Sequence, residues 1–229
     1  MSYLTTAVVV AAGNGTRMKT DKKKPFIELR GKPILTYCLD VFESSELIDN
    51  IVLVANSEDH DFIQEHIIDK YGYSIIKLAK GGKTRQESVY NGLMNSPYCD
   101  IVLIHDAARP FIDEKTISRS ISDAHDFGAS VVCIPVVNTI KTADDNGFVE
   151  NTIDRLKAWA AQTPQTFRAK LFLEAAEYAR EHEIECTDDA CLVESFGLKV
   201  KITEGNENNI KITTMKDLFV AEQILKTLK

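Results

Sequence analysis

The first residues able to do chemistry stand where an apolar run, residues 6–12, turns directly into Gly13-Asn14-Gly15-Thr16-Arg17-Met18, with Lys22, Lys23 and Lys24 close behind. Glycines at the end of a strand expose backbone N–H groups, and a following helix start adds the positive end of its dipole, so such a loop receives an anion at short range. Arg17 and Lys24 would add full charges to those partial ones, which suits phosphate. The two commonest phosphate loops are excluded. Gly13-x-Gly15-x-x-Met18 lacks the third glycine of a dinucleotide fingerprint, Asn56-Ser57 rather than a ribose-binding acid follows the second strand, and no Gly-Lys-Ser/Thr closes the loop. A plain tight turn is the other reading of these glycines taken alone.

Four further clusters carry polar chemistry. Gly81-Gly82-Lys83-Thr84-Arg85-Gln86-Glu87-Ser88 opens a helix bearing Val89, Leu93 and Met94; Ser88 suits a base edge, and Arg85 either meets phosphate or solvates the helix start. A buried strand, residues 101–104, ends in His105-Asp106-Ala107-Ala108-Arg109. Asp106 there suits a hydrated magnesium ion or a ribose hydroxyl, or else a helix cap or an ion pair with Arg109, and His105 is assigned no chemistry. Thr187-Asp188-Asp189-Ala190 precedes Cys191, Leu192 and Val193, with Thr187 read as the helix cap. Lys211 lies between Ile210 and Ile212, which in a strand turns it away from them, to solvent or into a cleft.

Positioning these clusters requires a sheet. Short apolar runs recur at residues 7–10, 51–55, 75–78, 101–104, 130–135 and 200–203, most of them separated by segments of helical spacing. That alternation predicts an α/β fold, a mostly parallel sheet with helices over it, in which the two glycine loops share the rim at the strands' C-terminal ends. Ile34, Cys38, Leu39 and Phe42 mark one helical face on the sheet, and Phe62, Ile63, Ile67 and Ile68 mark another. Residues 215–228 form a closing amphipathic helix with Leu218, Phe219, Ala221, Ile224, Leu225 and Leu228 as its stripe. The exception is residues 138–158, where Asp144-Asp145-Asn146-Gly147 marks a hairpin turn between arms short of core residues, suited to a subunit contact or to plain exposure.

Composition narrows the classes. The chain has 229 residues, 44% of them hydrophobic, and reads as one domain over 1–229. A net charge of -7 argues against a general nucleic-acid binder, so an anionic ligand must be met by a local cluster. The five cysteines form no C-x-x-C pair, which argues against zinc and disulfides. No secretory leader pattern opens the chain and no apolar run reaches the roughly 20 residues of a membrane span, so the expected location is the cytoplasm.

The ordered motifs make the reading specific. Ala-Ala-Gly-x-Gly-x-Arg-Met, the lysine before Phe26, Gly31-Lys32-Pro33-Ile34-Leu35, Gly-Gly-x-x-Arg-x-x-Ser, His-Asp-Ala-Ala-Arg-Pro-Phe, Thr139-Ile140-Lys141, Gln162-Thr163-Pro164-Gln165, Thr187-Asp188-Asp189-Ala190 and Asn209-Ile210-Lys211 run in order over nearly the whole chain. Together they resemble the 2-C-methyl-D-erythritol 4-phosphate cytidylyltransferases of the non-mevalonate isoprenoid pathway. The resemblance implies a Rossmann-like nucleotidyltransferase fold with helices on both faces of the sheet and a projecting β-hairpin arm, residues 138–158, crossing to a second subunit in a homodimer. It implies transfer of a cytidylyl group from CTP, with magnesium on the nucleotide phosphates. By motif, Arg17 and Lys24 resemble the catalytic cations, and Arg155, Lys211, Thr139 and Thr187 resemble residues that position the acceptor. Ala11, Ala12, Gly13, Gly15, Gly81, Gly82, Ser88, Asp106, Ala107 and Arg109 resemble the nucleotide site, with Asp106 near ribose and magnesium, directly or through water.

The chain departs from the family pattern in places. The usual Pro-Lys-Gln reads Lys23-Lys24-Pro25, which gives the catalytic place to Lys24 with Lys23 as the alternative; Asn138 and Lys83 stand where acids are frequent. A related family acting on polyol phosphates such as ribitol 5-phosphate shares the glycine loop, the Thr-Pro-Gln-Thr-Phe-Arg stretch and Lys-Ile-Thr-Thr. Ala107-Ala108 and residues 187–190 favour methylerythritol phosphate. A non-catalytic nucleotide-binding protein is the reading from another class.

Overall fold

Strict alternation along three strands divides the hydrophobic core in two. The computed structural model describes residues 3–13 and 23–227, the Lys24 side chain excepted. Its elements run β1 (Thr5–Val10), β2 (Glu28–Leu29), β3 (Lys32–Pro33), α1 (Ile34–Ser44), β4 (Asn50–Ala55), α2 (His60–Ile63, wound more widely over Gln64–Asp69) and β5 (Ile76–Lys80). Then come α3 (Arg85–Asn95), β6 (Ile101–Asp106), α4 (Glu114–Phe127), β7 (Ala129–Pro135), β8 (Lys141–Ala143), β9 (Val149–Thr152) and β10 (Trp159–Arg168). α5 (Ala169–Glu181), α6 (Asp189–Ser195), β11 (Lys201–Glu204) and α7 (Met215–Thr227) complete the chain. Ala7, Val9, Ile51, Leu53, Ile101 and Leu103 pack with α1, α2 and α4 on one face. Their neighbours Val8, Val52, Val54, Val102 and Ile104 pack with α3, α5 and α6 on the other, as the two-residue period of a strand requires.

Seven strands form one sheet in the order β11-β7-β10-β6-β1-β4-β5. Strands β6, β1, β4 and β5 are parallel, so their C-terminal ends share a rim, as expected. The strand that sequence patterning missed is β10, antiparallel to both β6 and β7. Its polar residues hide it: Gln162, Thr163 and Gln165 are buried, and its pairing with β7 shifts register between Ala161 and Gln165, which accommodates Pro164 in a central strand.

Two expected helix contacts, those of Phe62 and Phe219, are also corrected. Phe62 is exposed and stacks on His66, while Met94 and Phe219 face outward; the helical stripes are narrower than their apolar residues suggested. The rest of the α7 stripe packs as expected, Ala221, Leu218, Ile224 and Leu225 lying on Ile27, Leu29, Phe111 and Ile212, while Leu228 lies outside the described residues. The segment around Lys211 is an ordered loop and not a strand.

The expected hairpin is present as β8 and β9, which pair only with each other. Asp144 Oδ1 accepts from the N–H groups of Asn146 and Phe148, and Gly147 supplies the positive φ of 84° that closes the turn. Val137, Phe148 and Leu156 around it are 72–85% exposed.

α3 reaches the sheet through Gly92, where an added Cβ would lie 2.5 Å from Val8 Cγ1 and 2.7 Å from Val54 Cγ2. Both valines are buried and rotamer-locked, so overpacking should outweigh the gain of about 1 kcal/mol that alanine brings to a helix. Gly92→Ala is expected to lower stability by about 1–2 kcal/mol in urea unfolding, where an exposed helical glycine would show a rise.

Candidate active site at the strand ends

Three of the parallel strands, β6, β1 and β5, hand their chains over the rim by one backbone hydrogen bond to a neighbour. Ala107 N–H donates to Val10 O (3.1 Å), Ala11 N–H to Val54 O and Gly81 N–H to Ala55 O (both 2.8 Å). The loops leaving β6, β1 and β5 are thereby brought side by side. Gly81 lies so close to Ala12 that an added Cβ would stand 2.4 Å from the alanine methyl, the physical need for glycine at that turn. Between the loops is a cavity of about 570 Å³. Ala11, Ala12, Gly13, Gly82, Ser88, Asp106, Ala107 and Lys211 line it, together with Pro25, Asn56, Arg85 and Thr213.

Ser88 has a structural task at this site. Its Oγ accepts from Gly82 N–H (3.0 Å) and donates to Thr84 O (2.9 Å), holding the glycine turn over the first turn of α3. Thr84 caps that helix by accepting from Glu87 N–H at 3.0 Å.

The charged centre is a chain of four side chains. Lys211 Nζ is 2.6 Å from Asp106 Oδ2; Arg85 Nε is 3.1 Å from Asp106 Oδ1; and Arg85 Nη1 and Nη2 reach Asp189 Oδ1 and Oδ2 at 2.9 and 2.7 Å. Burial alone would raise the Asp106 carboxyl, but Arg85 and Lys211 hold it well below the usual carboxylate range. Burial likewise opposes the Arg85 charge and is outweighed by Asp189 and Asp106. Asp189 is fully buried, which pushes its carboxyl up against the pull of Arg85; the two-pronged contact is the geometry of carboxylate with guanidinium.

β10 arranges the acids. Gln165 Oε1 accepts from the N–H groups of Asp189 (2.9 Å) and Ala190 (2.7 Å), and its Nε2 donates to Asp188 Oδ2 (3.0 Å). Asp188, not Thr187, caps α6, accepting from Cys191 N–H at 3.0 Å; Thr187 sits one residue before the cap, exposed and off the cavity. Thr163 Oγ1 accepts from Asp106 N–H (3.1 Å). Lys211 is set by its neighbours: Ile212 N–H donates to Ala108 O (2.8 Å), and Asn209 Nδ2 donates to Thr163 O (2.8 Å).

Other expected site residues lie elsewhere. Arg109 donates to Asn209 O (2.8 Å) and Ala161 O (3.4 Å), so it ties the loop before Lys211 to β10 and does not line the cavity. The ion pair weighed between Asp106 and Arg109 is replaced by the pairs with Arg85 and Lys211. Thr139 and Arg155 are exposed on the arm, where Arg155 Nη1 reaches Val137 O at 3.5 Å. Gly15 and Arg17 lie outside the described residues, as does the side chain of Lys24. The positioning roles of Gln165, Thr163 and Asp189 escaped sequence reading; buried polar residues in a Thr-Pro-Gln-Thr stretch were the one available signal. A second cavity, about 750 Å³, shares Arg85 but lies between α3 and α5, away from Asp106 and Lys211.

His105 is fully buried, and burial lowers its pKa from 6.5 to about 4. Its Nε2–H donates to Arg109 O (2.9 Å), leaving Nδ1 to accept from the Thr163 hydroxyl (3.1 Å). A folded pKa below the unfolded one means that the unfolded chain binds the extra proton. This stability is whole above the unfolded value of about 6.5 and is lost as pH falls toward about 4, by up to about 1.4 kcal/mol per pH unit. Denaturant unfolding between pH 8 and 4 should show that loss, and His105→Gln should flatten it.

Comparison with known proteins shows the family. A family model described as 2-C-methyl-D-erythritol 4-phosphate cytidylyltransferase matches residues 5–227. A relative of that name from Clostridioides difficile (strain 630) is 48% identical over 223 residues, covering 97% of this chain and 94% of its own. The crystal structure of 4-diphosphocytidyl-2C-methyl-D-erythritol synthase from Anaerococcus prevotii DSM 20548 superposes with a TM-score of 0.88 at 34% identity, over 98% of this chain and 97% of that one. A Francisella tularensis structure, titled a 2-C-methyl-D-erythritol 4-phosphate cytidylyltransferase, gives 0.81 at 30% identity over 96% and 99%. With the fold, the strand-end cavity and these full-length likenesses in agreement, the chain belongs to the 2-C-methyl-D-erythritol 4-phosphate cytidylyltransferase family.

Proposed function

We propose a division of labour among named residues for the family's reaction. The protein transfers the cytidylyl group of CTP to 2-C-methyl-D-erythritol 4-phosphate, giving 4-diphosphocytidyl-2-C-methyl-D-erythritol and pyrophosphate in isoprenoid biosynthesis. The observation that carries the assignment of roles is the Lys211–Asp106–Arg85–Asp189 chain at the rim of the strand-end cavity. A phosphate monoester is largely ionised at neutral pH, so its oxygen attacks the α-phosphorus with no general base. The new P–O bond forms as the bond to the β-phosphate oxygen breaks, and pyrophosphate leaves with that electron pair. The site suits such chemistry, because Asp106 is held as an ion-paired carboxylate and His105 is neutral and off the cavity.

The task is to gather anions. Lys211 keeps two ammonium hydrogens beyond the one on Asp106, and in this reading they hold the acceptor phosphate. The Gly81-Gly82 turn and the backbone of Ala11–Gly13 hold the nucleotide, while Arg17 and Lys24 supply charge for the transition state. Asp106 is the single carboxylate among the described cavity-lining residues. That donor set fits a magnesium ion that takes most of its ligands from phosphate and water rather than from a protein cage. Bound there, such an ion would neutralise triphosphate charge that would otherwise repel the second phosphate.

Arg155 and Thr139 stand away from the cavity of their own subunit, on an arm with exposed Val137, Phe148 and Leu156. We assign them to the acceptor site of a second copy, which makes the working enzyme a homodimer in the cytoplasm. That reading is supported by apolar surface that one chain leaves uncovered.

Pyrophosphate release from CTP should be fast with 2-C-methyl-D-erythritol 4-phosphate and at least about 100-fold slower with ribitol 5-phosphate, as expected where a site's polar groups lose their partners. Preference for ribitol 5-phosphate would overturn the acceptor assignment. Lys24→Ala should lower kcat by about 10²–10³ with circular dichroism unchanged. If the arm serves a neighbour, mixing Arg155→Ala and Lys24→Ala proteins should restore about a quarter of wild-type activity, since half the dimers pair unlike subunits and each holds one intact site. No recovery would place Arg155 at its own subunit's site.

A further inference from the structure

The lysine next to Lys24 has a different task. Lys23 Nζ lies 2.5 Å from Glu58 Oε1 and 2.8 and 2.9 Å from the two oxygens of Asp59. Both acids belong to the short turn Ser57–Asp59, which follows β4 and Asn56 at the rim of the cavity. Lys23 O also accepts from Phe26 N–H at 2.9 Å, closing the turn Lys24–Phe26. The same turn is held from its far end, where the Phe26 ring packs on Phe62 at 5.0 Å between centroids. Within it Pro25 is buried and lines the cavity. One residue therefore joins the backbone that carries Lys24 to the end of the neighbouring strand, while its own charge is spent outside the cavity.

We propose that Lys23 is a positioning residue, whose ion pair with Glu58 and Asp59 sets the place of Lys24 at the cavity rim. This inference rests on the assignment of Lys24 as a catalytic cation. It also bears on which of the adjacent lysines acts on substrate, because an ammonium already paired with two carboxylates must give up those pairs, and bring a phosphate beside two negative charges, before it can meet substrate. The Lys23 side chain is one-third exposed and that of Glu58 about three-quarters, so solvent screens the pair and its worth to global stability is small. Its worth to catalysis is geometric. Displacing a charge by about 1 Å in an in-line displacement costs far more in rate than in folding.

Steady-state kinetics on the full-length enzyme test this. Lys23→Ala should lower kcat about tenfold, leave KM for CTP and the acceptor within about twofold, and shift Tm by no more than about 2 °C. Lys23→Arg should recover most of the lost kcat, since a guanidinium also spans two carboxylates. The double variant Glu58→Gln/Asp59→Asn should reproduce the loss seen with Lys23→Ala. Three outcomes overturn the proposal. Wild-type kcat in Lys23→Ala beside an inactive Lys24→Ala rejects Lys23 alone. Full or raised kcat in the double variant beside an inactive Lys23→Ala makes Lys23 itself the catalytic cation. Wild-type turnover in Lys24→Ala removes the assignment on which the inference stands, and the inference with it.

Discussion

One guanidinium shared between two acids holds the charged centre of this structure together. Arg85 must leave bulk water to reach Asp106 and Asp189, and Asp189 is wholly buried. A charge desolvated in this way is tolerated only when its partners are in place, and removing one partner would strand the other. α3 begins at Arg85, β6 ends at Asp106 and α6 begins at Asp189, so the same contact fixes three elements from separate parts of the chain. Lys211 completes the chain of charges on the cavity side.

That centre depends in turn on an antiparallel strand inside a mostly parallel sheet. β10 lies between β6 and β7, and at its register shift it presents polar side chains where a regular central strand would present apolar ones. Gln165 orients the start of α6 and Thr163 braces the end of β6. Buried amides and hydroxyls are costly unless each finds a partner, and here the partners are the backbone groups that aim Asp189 and Asp106. The rim is thus cross-linked by hydrogen bonds beneath the cavity. The cations and backbone N–H groups assigned to phosphate can then act without reorganising, which is what stabilising a developing charge requires.

Much of this was legible in the residues. The alternation of Val8 with Ala7 and Val9, or of Val52 with Ile51 and Leu53, announces strands buried on both faces, and the glycines at 81 and 82 mark a turn at their ends. The hairpin followed from Asp144 and Gly147, whose turn chemistry is local. β10 was not legible, because Gln162, Thr163, Pro164 and Gln165 read as a loop until a neighbouring strand supplies their partners. Thr187 read as the cap where Asp188 is, because which hydroxyl or carboxylate meets the Cys191 N–H depends on a backbone turn that sequence spacing does not specify.

What the sequence by itself determined is the inventory and the local order: apolar runs of strand and helix period, glycine turns at strand ends, and cations in an order specific enough to identify the family. Those properties are local, decided by residues a few positions apart. Only the tertiary structure decided the pairings. Arg85 and Asp189 stand 104 positions apart, and Arg109 and Asn209 stand 100 apart. Opposite charges find one another through the packing of whole elements, so whether Arg85 faces solvent or a buried acid, and that Lys23 meets Glu58 and Asp59, was set by the fold and not by the order of residues along the chain.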